Sequence, residues 1–422
     1  MSRQSHLFVA AEVAGAAVPA LKADLAGMTT APGQADPDNA LLPFGRIEGL
    51  HVARLILLED PSLADRIGTT DLPPHEPTRL ALIADGDGSP EAMIERFAAV
   101  AAEGLARLFG HCEPGLKPEH MGAWLRRHRL RPAATYVSWP GRSVRQVGEE
   151  AALHAALLDA RLAHPEKAPE QLWPDLATAA AGVALSPIDR PTLGERLADA
   201  ADFLLLPLLA VFLAPFLLLA LPVLIIMLRS RETTDPVIAP RPSLARNRML
   251  SSIEDHGVAN QYSAIGSLKP GRFRRQLTIV ILWIIDWGAR HIFRSGRLGR
   301  VNTIHFASWT FLDDKRRVLF TSNYDGSREA YNDDFINKVA FGLNLSFSNG
   351  LGYPRTDWLI LGGARHEQDF KWYLFHHQIA TQVWYNAFPA LTSYDMARNA
   401  RLRVAFESAP TGDALRRFVA EI

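Results

Sequence analysis

A chain of 422 residues is long for one domain and sufficient for two with an additional segment between them. Its 45 basic and 45 acidic side chains cancel, so no net field draws it to nucleic acid. The single cysteine, Cys112, excludes an intramolecular disulfide and a cysteine-cluster metal site. In chain order, the N-terminus lacks a charged segment followed by a sustained apolar core, so no signal peptide is expected. Residues 1–45, rich in Ala, Gly and Pro, are expected to pack loosely. Residues 51–58 form an apolar, partly β-branched run that predicts a buried strand. A proline-rich loop at 71–77 follows, then a second strand at 79–84 and a turn at 85–88. Ser89 is placed to cap a helix with Glu91 and Glu95 near its start, where the helix dipole favours negative charge. Met93, Phe97, Ala101, Leu105, Leu108 and Phe109 recur at helical spacing and predict its buried face.

The same text returns later. Residues 80–112 align without a gap on residues 318–350 with ten identities, among them Asp87/Asp325, Gly88/Gly326, Ser89/Ser327, Phe97/Phe335, Gly104/Gly342 and Phe109/Phe347. Composition alone gives roughly two or three matches over such a stretch. Upstream, His51, Ala53, Leu58 and Asp60 fall on His305, Ala307, Leu312 and Asp314. Downstream, Leu125, His128, Tyr136 and Pro140 fall on Leu374, His377, Tyr385 and Pro389. Each copy predicts strand, strand, helix, short helix, strand, helix, with an extra strand at 358–361 in the second. This divides the chain into a loose segment (1–45), a first α+β repeat (46–162), a helical linker (163–202), an apolar segment (203–228), a basic linker (229–297) and a second α+β repeat (298–422). Mixed elements at this length predict α+β sandwiches, and two such sheets packed face to face bury what one alone exposes.

Residues 203–228 carry no charge and exceed the roughly 20 residues needed to cross a bilayer as a helix. Pro207, Pro215 and Pro222 would kink a spanning helix or break it into a re-entrant one. Residues 277–293, with Trp283 and Trp287 and preceded by Arg272, Arg274 and Arg275, predict an amphipathic interfacial helix. A single crossing would separate two copies that need to pack together. The expectation is therefore an apolar segment that dips into the inner membrane from the cytoplasmic side, with both repeats in the cytoplasm and the lipid bilayer as partner.

No Walker loop, dinucleotide fingerprint, nucleophile elbow or His-Glu-x-x-His motif is present. The candidate groups are polar residues kept by the duplication or gained in the second copy. His305 and His377 could ligate haem iron, or be a core histidine and a helix-terminal charge respectively. Asp325 could be a distal acid/base group, or turn chemistry. Tyr385 could line a pocket or close a core. Arg355, with Arg365, Arg398 and Arg401, could form an anion-binding rim, or be a scattered surface charge. The second copy is richer in Trp, Tyr, His and Asn, with Tyr324 opposite Gly86 and Trp384 opposite Thr135, and is the expected host of a pocket.

The phrases TIHFASWTFLDD, VLFTSNYDGSREAYNDDFINKVAFGLN, NGLGYPRTDW and HHQIATQVWYNAFPALT resemble an uncharacterised bacterial membrane-associated family, over residues 46–160 and 298–405. At fold level the duplicated unit is similar to the ferredoxin-like dimeric α/β-barrel group, which includes dye-decolourising peroxidases. That resemblance implies a tandem duplicated ferredoxin-like sandwich, packed as a pseudo-dimeric barrel around a membrane-anchoring insert. It also implies haem as the candidate cofactor, with peroxidase- or oxygenase-like chemistry. Asp325, Arg355 and His377 would then be catalytic, and His305, His377 and Tyr385 would hold the cofactor. The peroxidase Gly-x-x-Asp-Gly motif is matched only in its second half, since Ser322 and Ala84 hold its first glycine position. A pocket in or between the repeats is expected to take haem or an amphipathic small molecule; the competing expectation is a non-catalytic membrane-associated binding or scaffold protein.

Overall fold

The structure, a computed structural model, describes residues 4–59, 76–188, 191–294, 298 and 301–422. Asp60 and most of the proline-rich loop expected at 71–77 lie outside the described residues. From the N-terminus the chain forms β1 (Gln4–Glu12), α1 (Val18–Ala26), the short strands β2 (Thr29–Ala31) and β3 (Gln34–Ala35), then β4 (Leu50–Leu58) and β5 (Arg79–Asp87). After these come α2 (Pro90–Gly110), α3 (Met121–Arg127), β6 (Arg129–Leu130), β7 (Ala134–Val137) and α4 (Val144–Ala163). Helices α5 (Pro169–Ala181), α6 (Leu193–Thr234) and α7 (Leu244–Ser251) connect to the second half. The plan then recurs as β8 (Ala259–Ser267), α8 (Arg272–His291), β9 (Ile304–Leu312), β10 (Arg317–Asp325) and α9 (Arg328–Phe347). It continues with the small hairpin β11 (Thr356–Asp357) and β12 (Leu361–Gly362), α10 (Glu367–His377), β13 (Val383–Asn386), α11 (Ser393–Glu407) and α12 (Gly412–Glu421). The molecule is mixed α+β with two main open sheets and one long apolar helix.

The repeat extends to small irregularities. Ser89 and Ser327 both accept the backbone N–H three residues on, capping α2 and α9. Both helices kink at corresponding positions, Ala101 and Val339. Both sheets shift register at a histidine: Leu50 and Val52 pair with Gly86 and Asp85, while Ile304 and Phe306 pair with Tyr324 and Asn323. A bulge re-aims the side chain it carries, and each of these points its imidazole at the aspartate that ends the next strand.

Two expectations about boundaries are corrected. The described part of the segment 1–45 does not pack loosely: β1 lies inside the first sheet, paired to β5 along its whole length, with Leu7, Phe8 and Val9 fully buried. The segment 229–297 is not only linker, because β8 forms an edge strand of the second sheet, paired to β10. In place of the extra strand expected at 358–361, residues 358–360 form the turn of the β11–β12 hairpin, with Trp358 and Leu359 at positive φ, and Leu361 begins β12.

The first sheet has the order β2-β3-β13-β4-β5-β1-β6 and the second β7-β9-β10-β8. Each sheet therefore contains one strand from the other half. Val383 pairs with Leu55 and Tyr385 with Ala53, while Ala134 pairs with Trp309 and Tyr136 with Ala307. The exchange is reciprocal and in the same register. One face of each sheet is covered by its helices, and the other faces meet: Phe8, Ile56, Leu58 and Ile83 from the first pack with Ile265, Leu312 and Leu319 from the second. Arg54 crosses this layer. It is 2% exposed and donates to the Tyr262 and Ser322 carbonyls, Ser263 Oγ and Asn323 Oδ1.

Helix α6 is continuous despite three internal prolines, and its most apolar window is not buried within the protein. It is the one helix among the described residues long and apolar enough to cross a membrane. Both its ends are fastened to the second half. Near its start, Asp202 meets Arg290 and His291, Asp199 meets Arg294 at 3.0 Å, and the Phe203 and Trp287 rings stack at 5.5 Å. Near its end, buried Glu232 accepts from Thr356 Oγ1 and the Trp358 and Leu359 amides. Asp235 pairs with Lys269 and Arg274.

Candidate functional site

The helix-facing sides of the two sheets differ in what fills them. In the first, Leu7, Leu55 and Leu82 of the sheet pack against Met93 of α2 in one core, and residues 27–49 fold back over the gap beside it, burying Leu42, Phe44 and Ile47. In the second, the corresponding positions are Tyr262, Trp309, Phe320 and Tyr331. Between α8 and β9 the second half has fewer residues than the first has between α1 and β4. Aromatic rings set edge to face leave wedges that aliphatic chains fill; here Trp309 and Phe320 are tilted at 5.0 Å, and Phe320 and Phe347 are T-shaped at 5.2 Å. The result is a cavity of about 270 Å³ between the second sheet, α8 and α9. Its lining includes Ile284, Trp287 and Ile292 of the α8 side and Phe341, Gly342 and Leu345 of α9. Ile284, Ile292 and Phe341 are also exposed, so the cavity reaches the surface between these helices, on the face where α8 meets α6. Among the polar atoms at its wall, the indole N–H of buried Trp309 and the hydroxyl of buried Tyr136 have no partner among the described residues.

The candidate residues distribute as follows. His305 and Asp325 are together: His305 Nε2 lies 2.6 Å from Asp325 Oδ1, and Asp325 Oδ2 accepts the Ser393 amide at the start of α11. The first half repeats this arrangement, with His51 Nε2 at 3.0 Å from Asp87 Oδ1 and the Val144 amide of α4 on Asp87 Oδ2. Imidazole, carboxylate and helix start thus pin a bulge to the helix after the exchanged strand, an arrangement present twice and suited to holding the fold. His377 ends α10 with Nδ1 2.7 Å from the Tyr373 carbonyl. Tyr385 lies in the first sheet, stacked on Phe44 at 5.2 Å, where burial raises its phenol pKa. Arg355 caps α6 by donating to the Thr233 and Asp235 carbonyls. Arg398 and Arg401 sit on α11 against Asp395 and Glu421, so the anion-binding rim is not assembled. Neither His305 nor His377 lines the cavity, and among the described residues its lining holds no histidine, cysteine or methionine. The residues present therefore do not fit a haem with the expected ligands. Among the described residues no three His, Cys, Asp or Glu side chains group so as to hold a metal ion.

Two polar residues were missed at the sequence level. Arg54 is the only charge in the strand LHVARLILL, and a lone charge in a wholly buried strand signals a buried partner. Glu254 is 4% exposed; Gln378 Nε2 donates to its Oε2, while Oε1 has no partner. Burial, aided by Asp255 and opposed by Arg328 and Arg54, pushes its carboxyl up to about 8. The folded state holds this proton more tightly than the unfolded chain, where a glutamate titrates near 4.5. The resulting stabilisation is full below that value and is lost as pH rises through about 8. Glu254→Gln is expected to flatten this fall in melting temperature across that window. An unchanged slope in the variant would assign the titration to another group.

Comparison with family models, with curated proteins and with solved structures finds no match for this chain.

Proposed function

We propose that the protein is a membrane-associated binding protein, built from two strand-exchanged ferredoxin-like repeats, that takes an apolar or amphipathic small molecule into the second repeat. The observation that carries the reading is the cavity under α8 and α9, whose mouth is apolar and lies on the face where the long apolar helix is attached. Strand orders β4-β5-β1-β6 and β9-β10-β8 support the repeat assignment. Tightly bound small molecules should be recovered by solvent extraction and mass spectrometry of protein purified from membranes. An empty extract from correctly folded protein would remove the reading.

Helix α6 inserts into one leaflet rather than crossing the bilayer. From Asp202 to Asp235 it runs about 50 Å, while Arg274 and His291, which hold those two residues, are about 26 Å apart along α8. A bow outward from the body would take up the excess, and Pro207, Pro215 and Pro222 lie inside the helix where bends would form. Both feet rest on one face of one body, and arginines 229, 231, 272, 274 and 275 beside them favour the cytoplasmic side. Single cysteines at Ala200 and Ser230 test this in a Cys112→Ser background. Cys112 itself is a poor nucleophile, since burial pushes its thiol up to about 12. A membrane-impermeant maleimide is expected to modify both positions from the same side of sealed inverted vesicles. Modification from opposite sides would establish a crossing.

A further inference from the structure

Gly104 and Gly342 are one of the identities of the duplication, but only one has a visible reason to be glycine. A Cβ on Gly104 would lie 1.6 Å from the carbonyl oxygen of Leu41, because the covering segment of the first repeat runs directly over α2 there. A Cβ on Gly342 would meet nothing within 4 Å. In the first repeat the glycine clears a path for an extended stretch of the chain itself. The second repeat keeps the glycine, and among the described residues no chain lies over it.

Neighbouring positions changed in the same sense. Glu103 and Arg107 of α2 correspond to Phe341 and Leu345 of α9, and both replacements line the cavity. Phe341 is 54% exposed, which costs a soluble surface and suits one that faces acyl chains. Deeper in, Leu55 corresponds to Trp309, whose buried N–H has no acceptor. A buried donor left without a partner is costly, and an oxygen on the occupant would relieve it.

We infer that the second repeat binds a single extended lipid chain bearing an oxygen acceptor, laid across α9 at Gly342 with its oxygen at Trp309 Nε1, in the place that the Leu41 segment fills in the first repeat. This rests on the apolar-ligand reading above and specifies it. The chain comes from the leaflet beside α8 and α6, through the mouth formed by Ile284, Ile292 and Phe341. The unpartnered indole N–H favours an alcohol, ester or carboxyl oxygen over a plain hydrocarbon.

The test uses the full chain held in amphipol, with cis-parinaric acid as the fluorescent probe and fatty alcohols, matched alkanes, phosphatidylcholine and a synthetic peptide of residues 36–47 as competitors. Alcohol affinity is expected to rise about fourfold per added methylene until the cavity is filled. Gly342→Leu should weaken probe binding at least about tenfold with no fall in melting temperature, because the new side chain enters open space. Trp309→Phe should weaken alcohols about fivefold and leave alkanes unchanged. Phosphatidylcholine competing as well as the alcohols would identify an esterified chain; failure to compete would identify a free one. Unchanged probe binding in Gly342→Leu, or equal losses for alcohol and alkane in Trp309→Phe, would overturn this inference while leaving an apolar cavity in place. Displacement by the peptide and by no lipid would replace the lipid with a protein segment. A wild-type protein that binds no probe would overturn the apolar-ligand reading itself.

Discussion

Gly104→Ala is expected to destabilise the first repeat by about 3 kcal/mol or more, while Gly342→Ala raises stability by about 1 kcal/mol. The two residues occupy the same position of the same kinked helix in two copies. Alanine is the better helix former, so intrinsic propensity alone predicts a gain at both. At Gly104 that gain is overwhelmed, because the added carbon would overlap the main chain at Leu41 and no rotamer change can relieve a clash with backbone. The covering segment would have to lift, exposing Leu42, Phe44 and Ile47. Urea melts monitored by hydrogen exchange in each repeat separate the outcomes. Equal effects of the two substitutions would mean that the covering segment does not press on α2 in solution.

Arg54→Ala is expected to cost about 3–5 kcal/mol, the range for breaking a buried charged network by removing one partner. The guanidinium reaches from β4 into the opposite sheet and donates to acceptors on both β8 and β10. Its Cζ also lies 5.1 Å from the centre of the Trp384 ring on the exchanged strand. Burial lowers its pKa to about 10, which leaves it charged at neutral pH. Removing it strands two carbonyls and two side-chain oxygens in a dry layer. Arg54→Lys should recover little, because an ammonium cannot reproduce the planar fork that serves acceptors on two strands. The measurement is the loss of amide protection in β8 and β10 together with the urea midpoint. A loss under about 1 kcal/mol would show that water reaches the layer between the sheets.

How far the sequence reveals this molecule can be judged from particular elements. Strands β4, β9 and β10 and both long helices were visible, because their apolar positions follow one period and Ser89 and Ser327 mark the starts. Strand β1 was hidden, since QSHLFVAAE sits among Ala and Gly and carries few β-branched residues. Strand β8, ANQYSAIGS, reads as polar because its inner face serves buried hydrogen bonds, including those from Arg54. The duplication aligns β7 with β13 but says nothing about which sheet each joins. The identity of Gly104 and Gly342 was legible; its meaning was not, because the group that explains the first glycine is the main chain of Leu41, sixty-odd positions away and absent from the second copy. The site residues expected from the resemblance failed to converge for a related reason. His305 and Asp325 are needed to hold a bulge to a helix, and that need is the same in both halves.

The reciprocal exchange of β7 and β13 sets an order in time. Strand β4 has its outer edge completed only by residues 383–386, which leave the ribosome long after it. Until then an unsatisfied strand edge with buried-type side chains is open to other chains. The partner strand β7, by contrast, is made early and waits for β9. Helix α6 emerges between these events, while both sheets are unfinished. Neither sheet is completed by its own half, and folding closes only when the last exchanged strand returns to the first sheet.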